Sequence, residues 1–466
     1  MLPTIATGNV ASATASTTYN VANSIRFNKA DSPALKRNSM GTATNRRIWT
    51  LSLWLKRSTT AQAMIASFDG AAAYYHFKST GELEVQDVPG STPNYRLTTN
   101  AKYRDTSAWL NIVVAFDSTQ GTDTNRIKLY VNGEQPSLGT ATYPTQNFDG
   151  EVNSTGSHKY GSYDDSTDYA FNGYFCEIVF IDGTQYAASD FGEFDSDSPR
   201  IWKPKDPSGL TFGTNGHYID FEASGNLGND VNGGTDFDEN NIVAGDQSTD
   251  TCTNNFATLN PLGGKRGNNT TFSEGNLKSV DTGSTNGVDP NLHATFGLTA
   301  GSWYFEMKAE AITAGRMASI ALLVQDGQSP DDYVDARTVN LYYEKNSSGN
   351  KIRKFSSDVE TGLADNAAND IFGVALDIDN GTVQFYKNGS AYGSQVTGLS
   401  SSGKTTFISM LGEGGSGRAA TCNLNFGSPA FAISSGNADG NGYGNFDYAP
   451  PSGYYSLCTK NLAEYG

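Results

Sequence analysis

The residues Gly398-Leu-Ser-Ser-Ser-Gly403-Lys404-Thr405 have the spacing of a P-loop, in which glycine-freed backbone amides and a lysine cradle phosphate. Such a loop must join a strand to a helix whose N-terminus meets the anion. The residues that follow, Thr405-Thr-Phe-Ile-Ser-Met-Leu411, are β-branched and end at Gly412. They read as a strand, so a polar hairpin loop is expected here and no nucleotide site.

Carboxylate clusters come next. Asp377-Ile-Asp379-Asn-Gly381 begins like a calcium loop, but its twelfth residue is Asn388 rather than the bidentate Glu that such a loop uses. A β-turn is the expectation. Asp230, Asn232, Asp236 and Asp238 form a denser oxygen group and are the calcium candidates. No other cofactor is expected. Tyr218-Ile-Asp220-Phe-Glu222 comes close to the carboxylate pair that glycoside hydrolysis needs on one strand face, but Tyr218 stands where the leading Glu is expected, so one carboxylate is missing and hydrolysis is not expected. The four histidines, His76, His158, His217 and His293, are scattered and make no metal-ligand pair. No Gly-x-Ser-x-Gly elbow occurs. No catalytic residue is assigned, and a non-catalytic protein is expected.

The elements that would hold these residues are strands. In residues 48–57, Trp49, Leu51, Leu53 and Leu55 alternate with Thr50, Ser52 and Lys56, the period of a strand with one buried face. Residues 109–117 are denser in apolar side chains and suit a strand covered on both faces. Asn132-Gly133 and Asn388-Gly389 are reversal pairs, because both residue types tolerate positive φ. Residues 187–194 can make one short helical turn. Extended helical periodicity is absent.

Composition sets further limits. Aromatic residues reach 11% and there are 51 glycines among 466 residues, a turn-rich and aromatic-rich profile suited to β-sandwiches. Net charge is −17, a surface that repels nucleic acid and anionic lipid, so neither partner is expected. Four cysteines, Cys176, Cys252, Cys422 and Cys458, are too dispersed for a disulfide scaffold, and Cys176 and Cys422 read as buried thiols. The first twenty residues have no basic start or apolar core, and no apolar run is long enough to span a bilayer. Synthesis in the cytoplasm is the expectation.

Several motifs carry a family resemblance. They are Ser24-Ile-Arg-Phe-Asn28, Leu51-Ser-Leu-Trp-Leu-Lys-Arg-Ser58, Ser107-Ala-Trp-Leu-Asn-Ile-Val-Val-Ala-Phe-Asp117, Ile127-Lys-Leu-Tyr-Val-Asn-Gly133 and Phe180-Ile-Asp-Gly183. Asp190-Phe-Gly-Glu-Phe-Asp195, Ile201-Trp-Lys-Pro-Lys205 and Thr253-Asn-Asn-Phe-Ala-Thr-Leu-Asn-Pro261 follow in order. This half resembles the laminin G-like, concanavalin A-like sandwich found in bacteriophage structural proteins. Gly301-Ser-Trp-Tyr-Phe-Glu306, Asp370-Ile-Phe-Gly-Val-Ala-Leu-Asp377, Gly381-Thr-Val-Gln-Phe-Tyr-Lys-Asn-Gly389 and Asn425-Phe-Gly-Ser-Pro-Ala-Phe431 resemble a SPRY-type sandwich.

The resemblance implies an all-β fold of two concanavalin A-like antiparallel β-sandwiches, jelly-roll in type. The expected divisions are a flexible segment 1–19, a first sandwich 20–222, an Asn/Gly/Asp-rich spacer 223–269 with some packed aromatic anchors such as Phe256, a second sandwich 270–432 and a tail 433–466 packed on the second sandwich. The resemblance also implies a place on the virion surface, as a tail fibre or a head fibre or decoration. The implied partners are other virion proteins, a host surface glycan or protein, and further copies of the chain. A purely structural assembly protein and a bacterial cell-surface lectin remain as alternatives. Recognition is expected at rim loops of the first sandwich, with Asp69, Asp117, Asp123, Asn125, Tyr160, Tyr163, Asp164, Asp165 and Trp202 as ligand-binding candidates.

Overall fold

The computed structural model describes residues 19–164, 166, 168–263, 270–281, 291–312, 317–325, 338–344, 350–355, 357–399, 405–412 and 420–466. These form two compact bodies, one ending at Asn255 and the other beginning at Phe256. Both are antiparallel β-structures, as the alternation predicts.

The described residues of the first body form two large sheets and a two-stranded one, Gly192–Phe194 with Trp202–Pro204. The broad sheet has eight strands in the order Leu138–Thr142, Tyr95–Lys102, Glu82–Asp87, Ala73–Phe77, Ala63–Phe68, His158–Tyr160, Ala34–Arg37, Asp238–Asn240. The companion sheet runs Gln247–Ser248, Ser24–Phe27, Gly173–Asp182, Ile48–Arg57, Trp109–Asp117, Ile127–Val131, with His217–Ile219 also paired to Gly173–Asp182. Side chains of period two fill the space between them. Trp49, Leu51, Leu53 and Leu55 all enter this core, and the Trp49 ring stacks on Phe116 at 4.9 Å.

The opposite face of Ile48–Arg57, expected to be polar, is buried as well. Trp54 joins Trp109, Tyr174, Cys176, Phe191, Trp202, Phe212 and Tyr218 in a second apolar layer outside the companion sheet. Lys56 is also covered. Its ammonium donates to Asp250 and, at 2.8 Å, to Asn255 Oδ1, so the charge is paired where water is excluded. The expected helical turn is present as a 3-10 turn at Ala188–Asp190.

Within the expected spacer, residues 223–263 are anchored by more than aromatic rings. Leu227, Phe237 and Ile242 enter the first core. Asp238–Asn240 and Gln247–Ser248 each extend a sheet of the first body. Beyond the division, Ala257 and Leu259 enter the core of the second body. The composition hides this because a few well-placed apolar residues anchor a chain whose polar side chains satisfy its own turns.

The second body has a seven-stranded sheet that includes Ser302–Ile312 and Asp370–Asp377, and a six-stranded sheet that includes Asn291–Leu298 and Thr405–Gly412. Thr405–Gly412 pairs on both sides, with Asn291–Leu298 and Met317–Gln325. A strand therefore stands where a P-loop needs a helix; residues 400–404 of that motif lie outside the described residues. Asn388 and Gly389 take φ of 48° and 78° at a two-residue hairpin, and Asp377 accepts from Asn380 in the turn that ends at Gly381. The tail packs on this body through aromatic rings, with Phe446 edge-on to Tyr304 at 5.1 Å, and ends in a short helix, Thr459–Tyr465, whose Tyr465 stacks on Tyr455 at 3.9 Å. No helix among the described residues is long and apolar enough to cross a membrane.

Candidate functional site: a polar and aromatic face of the broad sheet

Alternation along each strand of the broad sheet sends one set of side chains to the core and the other to the outer face. In Ala73–Phe77, Ala73, Tyr75 and Phe77 enter the core, which leaves Tyr74 and His76 outside. In Glu82–Asp87, Leu83 and Val85 go in, and Glu84 and Gln86 go out. In Tyr95–Lys102, Tyr95 and Leu97 go in, and Arg96 and Thr98 go out.

Register turns these into two rows. The first row is Lys36, Lys159, Ser67, Tyr74, Gln86 and Arg96, each opposite the next. The second is Met64, His76, Glu84 and Thr98. Directly opposed side chains touch, so the rows are contact networks. Arg96 Nε donates to Gln86 Oε1 at 2.7 Å. Thr98 Oγ1 donates to Glu84 Oε2 at 2.7 Å, and His76 Nε2 lies 3.1 Å from Glu84 Oε1. Burial raises the Glu84 pKa, but the bonds from His76 and Thr98, with the charges of His76 and Lys78, outweigh it and bring it to about 2. Glu84 is therefore an anion whose oxygens are already engaged, unsuited to proton transfer. It fixes the His76 ring beneath Tyr74, which stands edge-on to it at 5.3 Å.

The loop after His158–Tyr160 closes one side of the face. Ser67 Oγ donates to the Ser162 carbonyl at 2.9 Å. Tyr163 stands edge-on to Tyr74 at 5.1 Å and to Tyr169 at 6.2 Å, and Tyr169 is 39% exposed. Asp164 accepts from Lys159 Nζ at 2.6 Å. Half-exposed aromatic rings beside the half-exposed Arg96 guanidinium, which the buried Gln86 orients, suit a ligand with both hydrocarbon faces and hydroxyls.

The expected site residues divide. Tyr163 and Asp164 border this face, and the turn of Asp69 lies beside Asp164: a Cβ on Gly70 would sit 4.0 Å from Asp164 Oδ2. Asp165 lies outside the described residues. Asp117, Asp123 and Asn125 are on the companion sheet's hairpin instead. Asp117 is spent locally, accepting from the Thr119 amide and hydroxyl and from Gln120. Asp123 and Asn125 are exposed in a 3-10 turn.

Two candidates are corrected. Tyr160 is fully buried in the core and hydrogen-bonds His217 Nε2 at 2.7 Å. It sits on the inward side of its strand, where the alternation puts it. Trp202 is buried in the outer apolar layer, donating to Asn111 Oδ1 at 3.1 Å. Its ring fills the space over Gly133 and Gly192, where a Cβ would come within 2.4–2.5 Å of it.

The calcium candidates do not converge. Asp230 is buried, and its Oδ1 caps the Tyr218 and Asn232 amides. Asp236 accepts from the Asp230 amide and Asn226, Asn232 is exposed, and Asp238 lies exposed on an edge strand. Among the described residues no three His, Cys, Asp or Glu side chains form a metal-holding group. Tyr218-Ile-Asp220-Phe-Glu222 is not a hydrolytic pair on a cleft either: Tyr218 is turned into the buried outer layer and Asp220 caps the Glu222 amide.

The sequence reading missed Tyr74, His76, Glu84, Gln86 and Arg96. Their outward alternation was a signal, but only cross-strand register brings them together.

Residues 29–188 match the family model of the concanavalin A-like lectin/glucanases superfamily. That span contains every residue of the two rows. No curated protein matches the chain. Among solved structures, the chain is similar to the SPRY domain of human HERC1, at 12% identity over 32% of this chain and 87% of that one, TM-score 0.26. It is similar to the TRIM65 PSpry domain, at 14% identity over 36% of this chain and 88% of that one, TM-score 0.27. It is also similar to the native heptameric SAP-like pentraxin from Limulus polyphemus, at 14% identity over 35% of this chain and 78% of that one, TM-score 0.26.

Proposed function

We propose that this chain is a binding protein with no catalytic centre, and that the first body recognises host-surface glycan on the outer face of its broad sheet. The observation that carries the reading is the Tyr74–Gln86–Arg96 row, flanked by Tyr163 and Tyr169. A sugar stacks its apolar face on tyrosine while its hydroxyls take hydrogen bonds from the Arg96 guanidinium, which the buried Gln86 amide orients. Each such contact is weak, and many copies on one particle supply the avidity. The order of phage-type motifs along the chain supports a place on a virion surface, as a tail fibre or a head fibre or decoration. Other virion proteins and further copies of the chain are then its partners.

The test is a glycan array and a host-envelope pull-down with the full chain presented on beads at high density. Retention of a defined glycan class, lost in the Tyr74→Ala variant, is the expected result. Absence of binding to every glycan and to host envelope, with the chain incorporated in particles, would favour an assembly role instead.

A further inference from the structure

We infer that Lys56 Nζ and Asn255 Cγ join in a self-formed amide bond inside the first body, with Asp250 carrying the protons. The inference is independent of the glycan reading.

Three reactive groups meet where water is excluded. Lys56, Asp250 and Asn255 are 1%, 1% and 4% exposed. The Lys56 ammonium donates to Asp250 Oδ2 and, at 2.8 Å, to Asn255 Oδ1. The nitrogen is thus within hydrogen-bond reach of the oxygen borne by the carbon it attacks. The surroundings are aromatic. Lys56 Nζ lies 5.1 Å from the centroid of the buried Tyr174 ring, and Trp109 Nε1 donates to Asp250 Oδ1 at 3.1 Å.

Each group is held from its own part of the chain. Lys56 stands on Ile48–Arg57, a strand paired on both sides. The Asp250 amide donates to Ser248 Oγ at 3.1 Å, and its carbonyl accepts from Ser24 Oγ at 2.6 Å. Asn255 Nδ2 donates to the Ser107 carbonyl at 2.7 Å, which turns the amide oxygen, not the nitrogen, toward Lys56. Groups fixed by separate anchors react as if at concentrations of about 10⁵ M or more.

The chemistry is an amide exchange and needs no co-reactant. Passing a proton from Lys56 Nζ to Asp250 Oδ2 replaces a buried ion pair by two neutral groups and bares the nitrogen lone pair. That lone pair adds to Asn255 Cγ. A second proton leaves Nζ by way of the same carboxylate, and both protons reach Nδ2. The Cγ–Nδ2 bond breaks, Nδ2 departs with both protons as ammonium, and Asp250 is again a carboxylate. Lys56 and Asn255 are 199 positions apart. The bond ties the last residue of the first body to an interior strand of the companion sheet. Tension on the chain beyond Asn255 then enters that sheet directly, rather than through the two-residue edge strand Gln247–Ser248.

The experiment measures the intact mass of the denatured full chain and maps its tryptic peptides. The expected mass is lower than that of the sequence by one ammonia, with a branched peptide joining Lys56 to Asn255. Asn255→Ala keeps the Lys56–Asp250 ion pair, shows its full sequence mass and melts roughly 10 °C lower. Variants that probe the ion pair itself are compared in that background. Asp250→Asn keeps the shape but removes the proton carrier, and leaves Lys56 and Asn255 unjoined. A parent chain at its full sequence mass would overturn the inference. So would an ammonia loss mapped away from Lys56 and Asn255, or a loss of water with Lys56 joined to Asp250 instead.

Discussion

The Tyr218 hydroxyl donates to Glu177 Oε2 at 2.8 Å, beneath the apolar layer that covers the companion sheet. Tyr19 Oη lies 2.7 Å from the same oxygen and 2.7 Å from Tyr218 Oη, so three oxygens form a closed triangle. An ionised Glu177 leaves two hydroxyl protons for three short contacts. A neutral carboxyl supplies the third. Burial, the first cause, raises the Glu177 pKa to about 7, and nearby Asp220 and Glu222 add to it. Glu177 sits at φ 52° on the bulge of its strand, a backbone conformation that costs free energy and persists only where the surroundings enforce it.

The sign of the pH effect follows. The native state holds a proton that the unfolded chain releases near the ordinary glutamate value of 4.5. This contribution is fully present below that value and is lost as pH rises through about 7. The Glu177→Gln variant, which keeps the neutral shape, should remove that part of the slope. Chemical denaturation at pH 5 and pH 8 checks it: the variant is expected to gain on the parent by about 1–3 kcal/mol between the two.

Lys56 and Asp250 are both almost fully buried. Lys56→Met removes the ammonium paired with the buried Asp250 carboxylate and should cost about 3–5 kcal/mol. A double variant that also replaces Asp250 by Asn should recover part of this loss. Urea titration of the single and double variants reads the coupling.

Glu306 performs a different task in the second body. Its Oε1 accepts from the Tyr448 amide and its Oε2 from the Asp447 amide and Asn425 Nδ2. An amide in its place turns a hydrogen-bearing nitrogen toward one of these donors. Glu306→Gln should cost about 2–4 kcal/mol and open the tail to cleavage, measured by limited proteolysis within 433–466.

The sequence made the fold legible where alternation is undisturbed. Trp49 to Leu55 face one core because every second residue is apolar, and Asn388-Gly389 turns because both residues accept positive φ. It could not reveal that the other face of the same strand is covered, since that depends on Trp202 and Asp250 returning from distant segments. The segment after Glu222 is hard to read for a related reason: Leu227, Phe237 and Ile242 are sparse, yet each lands in the core. The site was legible in part. Tyr163 and Asp164, candidates from their loop, border the face, whereas Tyr74, Gln86 and Arg96 belong to separate strands and meet only through register. Tyr160 was misplaced by reading a strand residue as a loop residue. Glu177 lies at a bulge, which breaks the period from which a side chain's face is inferred.

The most direct measurement is isothermal calorimetry or surface binding of host-envelope glycan to the full chain, the Tyr74→Ala variant and the Arg96→Ala variant. Tyr74 and Arg96 are half-exposed, so both variants should melt within a few degrees of the parent. The glycan-binding account predicts at least a tenfold loss of affinity in each, about 1.4 kcal/mol or more. Undiminished binding by both variants, with folding intact, would contradict it.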